Sequence, residues 1–510
     1  MKAVRPGMLI GTELRPTPRG GDGAPLRVRP AWWRELRERP DPVAARRAWG
    51  AYAGPITGGA RTVDGVDLVE VTFLARAAPG RSIMLHLNTL TDRHRADMRP
   101  ALMERAGGTR LLGLTVLLAA DGVLGYRLAD ITGLPRDVGA TRSGWKGVHE
   151  RGRPDPANPE RMPTPLGGAA SVWRGPRAPW ARWPAGPEPE WIGAVTAGGR
   201  PVRVLPGDER VVVLLDGQFL AGLKLAAAAR ERGLGHTLVR VDCGGPEERA
   251  GLLTDPGASA GLVRGALETA GGVLGRRVGP ARAVAGQSFG GLAVGRLLAE
   301  RPDLLRAGIV QSGSFWHGRA APGPGGPDAA GGPGDLVRLL RSGGGDVSRP
   351  VVVQAGAEEN QIVVHARWYR DALLARGAKM GYREIRGGHD YAWWRHGILD
   401  ALVELGDGGG TDRAPRSGSP AGPPTVERRN PAPTRRPQRA RKNGCPQGST
   451  RGVDRGRRPS LPSDHQPRRG EPHEPRQPPS SRFPRPPAPA RPHRRRLRPG
   501  RAVHPRRGPG

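Results

Sequence analysis

The sequence has few cysteines, few aromatic residues and no long apolar run, and these shortages exclude several classes of protein. Cys243 and Cys445 are the only cysteines among 510 residues, too few for the disulfide framework of a small secreted scaffold. No stretch approaches the roughly 20 apolar residues of a membrane span, and the N-terminus lacks the apolar core of a signal peptide. We therefore expect a soluble, cytoplasmic protein that does not associate with membranes.

Acidic residues are also scarce, with 47 Asp and Glu against 81 Lys and Arg, which gives a formal net charge of +34. Residues 411–510 contain 26 basic and 6 acidic residues and so carry +20 of this charge. Because this segment has almost no large aliphatic side chains to bury, we expect residues 407–510 to form a disordered basic tail. Basic arms can bind nucleic acids, but Phe483 is the only aromatic residue here that could stack on bases, which disfavours this role.

Apolar runs in the rest of the chain predict two structured domains. Between residues 60 and 150, short runs such as 111–118 are separated by turn signals, a pattern typical of a β-sandwich. Residues 192–406 alternate continuous apolar runs with amphipathic segments, which predicts an α/β domain whose mostly parallel sheet is covered by helices. Residues 1–50, rich in Arg, Pro and Gly, are predicted to be poorly ordered, and residues 151–191 to be a linker rich in Pro and Trp.

The pentapeptide Gly-Gln-Ser-Phe-Gly at 286–290 fits the G-x-S-x-G pattern of a serine nucleophile, and so does a second pentapeptide at 257–261. Only Ser288 follows an apolar run and opens a predicted helix, as the tight strand-to-helix turn of an α/β-hydrolase requires. Ser259 follows Thr-Asp-Pro-Gly and is predicted to begin a helix. We therefore predict that Ser288 is the nucleophile.

A serine hydroxyl needs a histidine to take its proton, and in this fold the histidine follows the last strand. His389 has that position, in the sequence Gly-Gly-His-Asp. The acid that orients the histidine normally follows the preceding strand, where Glu358 and Glu359 are adjacent. Either glutamate could be this acid. Asp390 is a less suitable alternative, because a residue adjacent to the base usually points away from its ring.

A serine esterase also needs two backbone N–H groups to bind the oxyanion of the tetrahedral intermediate. One is expected from Phe289, the residue after the nucleophile. The other is expected from the loop after an early strand, in Leu-Leu-Asp-Gly-Gln-Phe, with Gly217 or Gln218 as the donor.

Six sequence blocks, in this order, resemble the enterochelin (ferric-enterobactin) esterase family of the α/β-hydrolase superfamily, over residues 60–405. They are Leu-Thr-Asp-Arg-His-Arg at 90–95, Met-Pro-Thr-Pro-Leu-Gly-Gly at 162–168, Leu-Leu-Asp-Gly-Gln-Phe at 214–219, Ala-Gly-Gln-Ser-Phe-Gly-Gly at 285–291, Gln-Ser-Gly-Ser-Phe-Trp at 311–316 and Gly-Gly-His-Asp at 387–390. The resemblance implies an N-terminal β-sandwich that helps to form the substrate pocket. It also gives Glu359 the position of the triad acid.

The resemblance further implies hydrolysis of the ester bonds of a catecholate siderophore, similar to enterobactin and in its ferric complex, with release of iron in the cytoplasm. Two other functions remain open: a carboxylesterase for another acyl ester, and an inactive hydrolase-fold interaction protein with a basic tail. The glycine-rich insert at 318–334 departs from the family pattern, which affects the expected substrate and leaves the triad intact.

Cationic and aromatic side chains near the strand-to-helix turn at Ser288, the nucleophile elbow, would suit an anionic ligand that carries aromatic rings. Arg249, Trp316 and Trp394 are the candidates for substrate contacts. A salt bridge for Arg249 and core packing for the two tryptophans are the alternative interpretations. We expect no metal ion or other cofactor to be needed.

Overall fold

The structure is a computed structural model that describes residues 8–21, 23–91, 97–164, 167–183, 186–319 and 331–407. The predicted tail beyond residue 407 and most of the 318–334 insert lie outside the described residues. The helices are α1 (Ala31–Glu38), α2 (Pro42–Gly50), α3 (Arg142–Arg151), α4 (Gly217–Leu220), α5 (Leu225–Glu231), α6 (Pro246–Thr254), α7 (Pro256–Leu274), α8 (Phe289–Glu300), α9 (Asp335–Arg341), α10 (Gln361–Leu374) and α11 (Tyr391–Leu402).

The strands form three sheets. They are β1 (Arg27–Val28), β2 (Ile56–Val63), β3 (Val66–Arg76), β4 (Ile83–Leu87), β5 (Glu104–Arg105), β6 (Leu111–Ala119), β7 (Val123–Asp130), β8 (Gly152–Arg153), β9 (Arg161–Pro163), β10 (Ala169–Arg174), β11 (Ile192–Val195), β12 (Pro201–Leu205), β13 (Val211–Leu214), β14 (Thr237–Val241), β15 (Ala283–Gln287), β16 (Gly308–Gln311), β17 (Val351–Gly356) and β18 (Met380–Ile385).

Two antiparallel sheets of five strands each make up the N-terminal part. One has the order β1-β6-β3-β2 with β5 on β6, and the other has the order β4-β7-β10-β9 with β8 on β7. Side chains from both sheets, such as Phe73 on β3 and Tyr126 on β7, share one buried core, and these two rings meet edge to face. Successive side chains of a strand point to opposite faces, so Phe73 enters this core while its neighbour Leu74 packs on the other face of the sheet.

The predicted linker at 151–191 differs from the structure, because it contains three strands. Within it, β10 pairs with β7 from Ser171 opposite Tyr126 to Arg174 opposite Val123, and so completes the second sheet. Neighbouring prolines and tryptophans obscure the short apolar run of β10 in the sequence. Its conformation depends on pairing with a strand more than 40 residues earlier, which local pattern does not reveal.

The sequence predicts that the first 50 residues are poorly ordered, and the structure of residues 8–21 and 23–50 differs from this prediction. Trp33 on α1 is 1% exposed and packs with Leu74 of β3 and Leu111 of β6. A large apolar side chain contributes about 2–3 kcal/mol when it is buried. Asp41 caps α2 by accepting a hydrogen bond from the Val43 N–H. Aromatic anchoring therefore orders a segment whose Arg and Pro content suggested disorder.

Residues 8–19, which we call the N-terminal arm, run along β18 at the edge of the third sheet. Ile10 forms a parallel bridge with Tyr382, supported by hydrogen bonds from Gly11 N–H to Tyr382 O and from Tyr382 N–H to Leu9 O. The arm thus occupies hydrogen-bonding groups that would otherwise be exposed on an edge strand.

The third sheet has eight strands in the order β11-β12-β14-β13-β15-β16-β17-β18, and it is parallel from β14 to β18. Successive residues of β13 face opposite sides: Val213 packs with α7 and α8, whereas Val212 and Leu214 pack with α5 and α11. Helices therefore cover both faces, and ligands of such sheets bind beyond the carboxyl ends of the strands. In the described ranges, no helix combines the length and apolar character that crossing a bilayer requires.

Candidate active site

Ser288 stands at a strained turn between β15 and α8. Its backbone has φ +58° and ψ −119°, a conformation that costs a non-glycine residue energy and is typical of a nucleophile elbow. Gly286 makes the turn possible, because a Cβ atom there would lie 2.3 Å from the Gly290 carbonyl carbon. The Ser288 side chain is half-buried, and its Oγ lies 3.4 Å from the Ser314 Oγ.

The other serine of a G-x-S-x-G pattern has a different environment. Ser259 lies inside α7 at 1% exposure, and its hydroxyl donates to the Leu252 carbonyl oxygen at 2.8 Å. This hydroxyl is buried and already hydrogen-bonded, which makes it unsuitable for attack on a substrate.

His389 and Glu359 form a hydrogen-bonded pair at the ends of β18 and β17. His389 Nδ1 lies 3.1 Å from Glu359 Oε1, and the glutamate side chain is fully buried while the histidine is 27% exposed. The two loops are joined by a hydrogen bond from Glu358 N–H to the Gly387 carbonyl oxygen. Gly388 lets the histidine loop pack closely, since a Cβ atom there would lie 2.6 Å from Asn88 Oδ1.

The other two candidate acids are engaged elsewhere. Glu358 Oε1 accepts hydrogen bonds from the N–H and the hydroxyl of Thr17, and its Oε2 pairs with Arg19, so this side chain fastens the N-terminal arm. Asp390 caps α11 by accepting from Ala392 N–H, and it also accepts from the N–H of a β7 glycine. Burial raises the pKa of Asp390 to about 6. The contacts therefore favour Glu359 as the acid partner of His389.

Ser288 and His389 both face the carboxyl edge of the sheet, but the hydrogen bonds of the described residues do not include one between them. In structures without substrate, catalytic hydrogen bonds are often long and tighten only in the complex. His389 is held from the other side by Trp394, whose ring meets it edge to face at 4.7 Å between centroids.

The loop predicted to complete the oxyanion hole lies next to the elbow. Asp216 adopts a left-handed conformation with φ +58°, and Gly217 then begins α4. The N–H groups at the beginning of α4 and of α8, which starts at Phe289, have no partner within their helices. Gln218 fixes the loop through its side chain, which accepts from the Cys243 N–H and donates to a neighbouring carbonyl oxygen.

Arg249 lies beside this loop, where its guanidinium binds Asp216. Arg249 Nε and Nη2 donate to the two carboxylate oxygens at 2.6 and 2.7 Å, and the Asp216 side chain is fully buried. This bidentate pair corresponds to the salt-bridge alternative. A substrate contact of Arg249, whose side chain is 15% exposed, stays a prediction. The pair joins α6 to the loop that carries Gly217.

The two predicted tryptophan contacts differ from each other. Trp316 is half-buried and lies beside Phe289, with ring centroids 5.8 Å apart, so it borders the elbow. Trp394 is 3% exposed and donates its indole N–H to the Ser312 hydroxyl at 2.9 Å. The structure therefore differs from the predicted substrate contact of Trp394 and agrees with core packing, because the Trp394 ring is buried and packs against His389.

A cleft of about 210 Å³ opens next to His389 on the side of the N-terminal sheets. The sequence patterns missed most of its lining, because these residues come from several separate strands and loops. Besides His389 and Asp390, the lining includes His86, Asn88, Tyr126, His149, Met162 and Tyr391. Over the ranges that the structure describes, no group of three or more His, Cys, Asp or Glu side chains is arranged to hold a metal ion.

Comparison with known proteins gives consistent matches. A profile described as enterochelin esterase, N-terminal, matches residues 70–184. The iron(III) enterobactin esterase of Escherichia coli O6:H1 (strain CFT073) is 27% identical over 390 residues, covering 66% of this chain and 92% of that protein. The iron(III) salmochelin esterase of the same strain is 26% identical over 379 residues, covering 66% and 87%.

Solved structures are similar over most of the described chain. The ferric enterobactin esterase of Salmonella typhimurium has a TM-score of 0.58 at 25% identity, covering 71% of this chain and 98% of that one. The enterobactin esterase of Shigella flexneri, solved in the presence of 2,3-di-hydroxy-N-benzoyl-serine, has a TM-score of 0.57 at 26% identity, covering 70% and 97%.

The strand order and the strained serine turn after β15 define an α/β-hydrolase, and the predicted α/β fold is confirmed by the solved relatives. The resemblance read from the sequence blocks is confirmed as well. The chain is similar to enterochelin esterases both in its N-terminal sheets and over most of the described residues, and it is an ester hydrolase.

Proposed function

We propose that the protein hydrolyses the ester bonds of a catecholate siderophore, bound as its ferric complex, and so releases iron in the cytoplasm. The observation that carries the proposal is the placement of Ser288, Glu359 and His389 after β15, β17 and β18, in a chain related to iron(III) enterobactin and salmochelin esterases. The buried, free thiol of Cys243 beside the oxyanion loop is consistent with a reducing compartment.

In the proposed reaction, Ser288 Oγ attacks the ester carbonyl carbon while His389 Nε2 takes the hydroxyl proton. The N–H groups of Phe289 and of Gly217 or Gln218 bind the oxyanion. When the intermediate collapses, the imidazolium returns the proton to the departing alkoxide of the ester. Water, activated by the same histidine, then attacks the acyl-enzyme, and the released acid leaves Ser288 regenerated.

The cleft beside His389 and the exposed edge of Trp316 offer aromatic contacts for the catecholate arms. A volume of about 210 Å³ is smaller than the roughly 300–1,000 Å³ of pockets that enclose a drug-sized ligand. It therefore suits a single aromatic acyl arm, with the remainder of the ligand outside. Tyr126 and Met162 supply apolar surface to the lining of this cleft.

The test compares three substrates: ferric enterobactin, iron-free enterobactin and p-nitrophenyl butyrate, with products separated by chromatography and Ser288→Ala as the control. Faster cleavage of ferric enterobactin supports the proposal. Cleavage of p-nitrophenyl butyrate alone would indicate a carboxylesterase for another acyl ester. If none of the three is cleaved, the proposal fails in favour of an inactive interaction protein.

A further inference from the structure

Ser312, the first residue after β16, is buried among the proposed catalytic groups and has no role in the reaction described above. Its side chain is 0% exposed, and its backbone has φ +49°, in the left-handed region that favours glycine. The Ser312 hydroxyl contacts Trp394 Nε1 at 2.9 Å and Glu359 Oε1 at 2.6 Å. This oxygen therefore links the buried α11 tryptophan to the acid that pairs with His389.

The chemistry of these groups fixes the direction of each hydrogen bond. An indole nitrogen can only donate, so the Ser312 oxygen accepts from Trp394. The single hydroxyl hydrogen of Ser312 is then directed to Glu359, whose ionised carboxylate can only accept. Because Glu359 Oε1 cannot donate, His389 must donate from Nδ1 across the 3.1 Å contact. Its Nε2 then carries the lone pair that a general base needs.

We propose that Ser312 is a positioning residue of the esterase, and that its hydroxyl, oriented by Trp394, holds Glu359 against Nδ1 of His389 and so fixes the tautomer of the base. This inference rests on the proposed triad. Within the part of the chain that the structure describes, the Glu359 carboxylate also accepts a hydrogen bond from Gly356 N–H, to Oε2 at 3.2 Å. Without the hydroxyl, Oε1 loses one of its two partners among the described residues and keeps His389, so the carboxylate can rotate away from the ring.

The left-handed backbone at Ser312 makes a clean test possible. Glycine adopts this conformation without strain, so Ser312→Gly removes the hydroxyl and relieves the backbone in the same change. We expect a melting temperature close to that of the wild type, because relief of the backbone offsets the lost partner of the buried Trp394 N–H. The kcat on p-nitrophenyl butyrate should be about 10-fold to 100-fold lower. KM should change by less than about twofold, because Ser312 is buried beneath the site.

The pH profile distinguishes positioning from a structural effect. A carboxylate held close to an imidazolium stabilises the charged form of the ring, so loosening Glu359 should weaken that stabilisation. The acid limb of kcat/KM should therefore move to lower pH in Ser312→Gly. Trp394→Phe, which keeps a ring against His389 but lacks the indole N–H, should shift the limb in the same direction by a smaller amount.

A double-mutant cycle and a matched control complete the test. If Ser312 acts through Glu359, adding Ser312→Gly to Glu359→Gln should lower kcat no further. Ser259→Ala deletes another buried serine hydroxyl, in α7, and should leave both kcat and the pH profile unchanged. Additive losses, or an Ser312→Gly enzyme with normal kcat and a normal pH profile, would overturn the inference.

A spectroscopic readout separates this inference from the proposed function. The proton on His389 Nδ1, held in a charge-assisted hydrogen bond, should give a far-downfield NMR signal in the wild type that moves upfield in Ser312→Gly. If this movement occurs in a protein that cleaves no ester, positioning stands and the proposed function fails. If the signal does not move, the positioning role is refuted whatever the activity.

Discussion

Exchanging Glu359 for glutamine removes one negative charge from beside His389 and keeps the shape of the side chain. Glu359 Oε1 accepts from Ser312 and His389, while Oε2 accepts from Gly356 N–H. Glutamine has one accepting oxygen, so its NH₂ group must face a donor in either orientation. Turned towards Gly356, the amide keeps the histidine tautomer and loses the charge. Turned towards His389, it forces the wrong tautomer as well.

The lost charge sets the size of the effect. Nδ1 and Oε1 are 3.1 Å apart, and two unit charges about 4 Å apart interact by about 4 kcal/mol at an effective dielectric constant of about 20. His389 is an imidazolium in the transition state, so losing this energy there lowers kcat by about three orders of magnitude. KM should change little, because Glu359 is fully buried and does not reach the substrate.

The assay is kcat and KM on p-nitrophenyl butyrate, with Glu358→Gln and Asp390→Asn as matched amide controls. Glu358 fastens Thr17 of the arm and Asp390 caps α11, so both controls should lower the melting temperature. Their kcat should stay within about tenfold of wild type. A thousandfold loss in a folded control, with Glu359→Gln near wild type, would refute the assignment of the acid.

Three further predictions can be checked. Ser288→Ala and His389→Ala should each lower kcat by several orders of magnitude, whereas Ser259→Ala should retain activity; near-normal turnover in either triad variant would contradict the mechanism. Deleting residues 411–510 should leave the melting temperature and kcat/KM nearly unchanged and reduce heparin retention in a salt-dependent way, and loss of folding would place the domain boundary elsewhere. Burial raises the pKa of Asp390 to about 6 in the folded protein, which therefore favours the protonated carboxyl. The contribution of this protonated carboxyl to the free energy of unfolding is present below about pH 4 and is lost as pH rises through about 6. When the pH is lowered from 7 to 5, the free energy of unfolding of the wild type, measured by urea denaturation, should therefore increase by about 1 kcal/mol relative to that of Asp390→Asn. The same pH dependence in both proteins would contradict this prediction.

The residues that follow the sheet strands could be predicted from the sequence, because strand order and turn chemistry are local signals. Ser288 lies in a glycine-flanked turn after an apolar run, and Glu359 and His389 each follow one. The contacts that separate Glu359 from Glu358 could not be predicted. They depend on Thr17, which binds Glu358 across 341 residues of sequence.

The backbone conformation of Ser312 and the burial of Trp394 could not be predicted from the sequence, for a different physical reason. The left-handed backbone of Ser312 involves one residue, and a single serine in Gln-Ser-Gly-Ser carries no periodic signal. The sequence predicts Trp394 as a substrate contact because aromatic residues near the nucleophile suit a catechol ring. Its burial follows from the packing of α11 on the sheet, where both faces of the helix are covered.

The N-terminal arm has a consequence for how the protein is made. Its partners, Glu358 after β17 and the residues of β18, are among the last described residues to be synthesised. For example, Leu14 N–H binds Glu384 Oε2, which lies 370 residues later in the sequence. At a translation rate of about 5–20 residues per second, the arm waits roughly 20–70 s for this partner to leave the ribosome. Arm docking and the fastening of Glu358 must therefore be late events of folding. A ribosome that stalls before β18 would leave the arm undocked and the edge of β17 open to pairing with other chains.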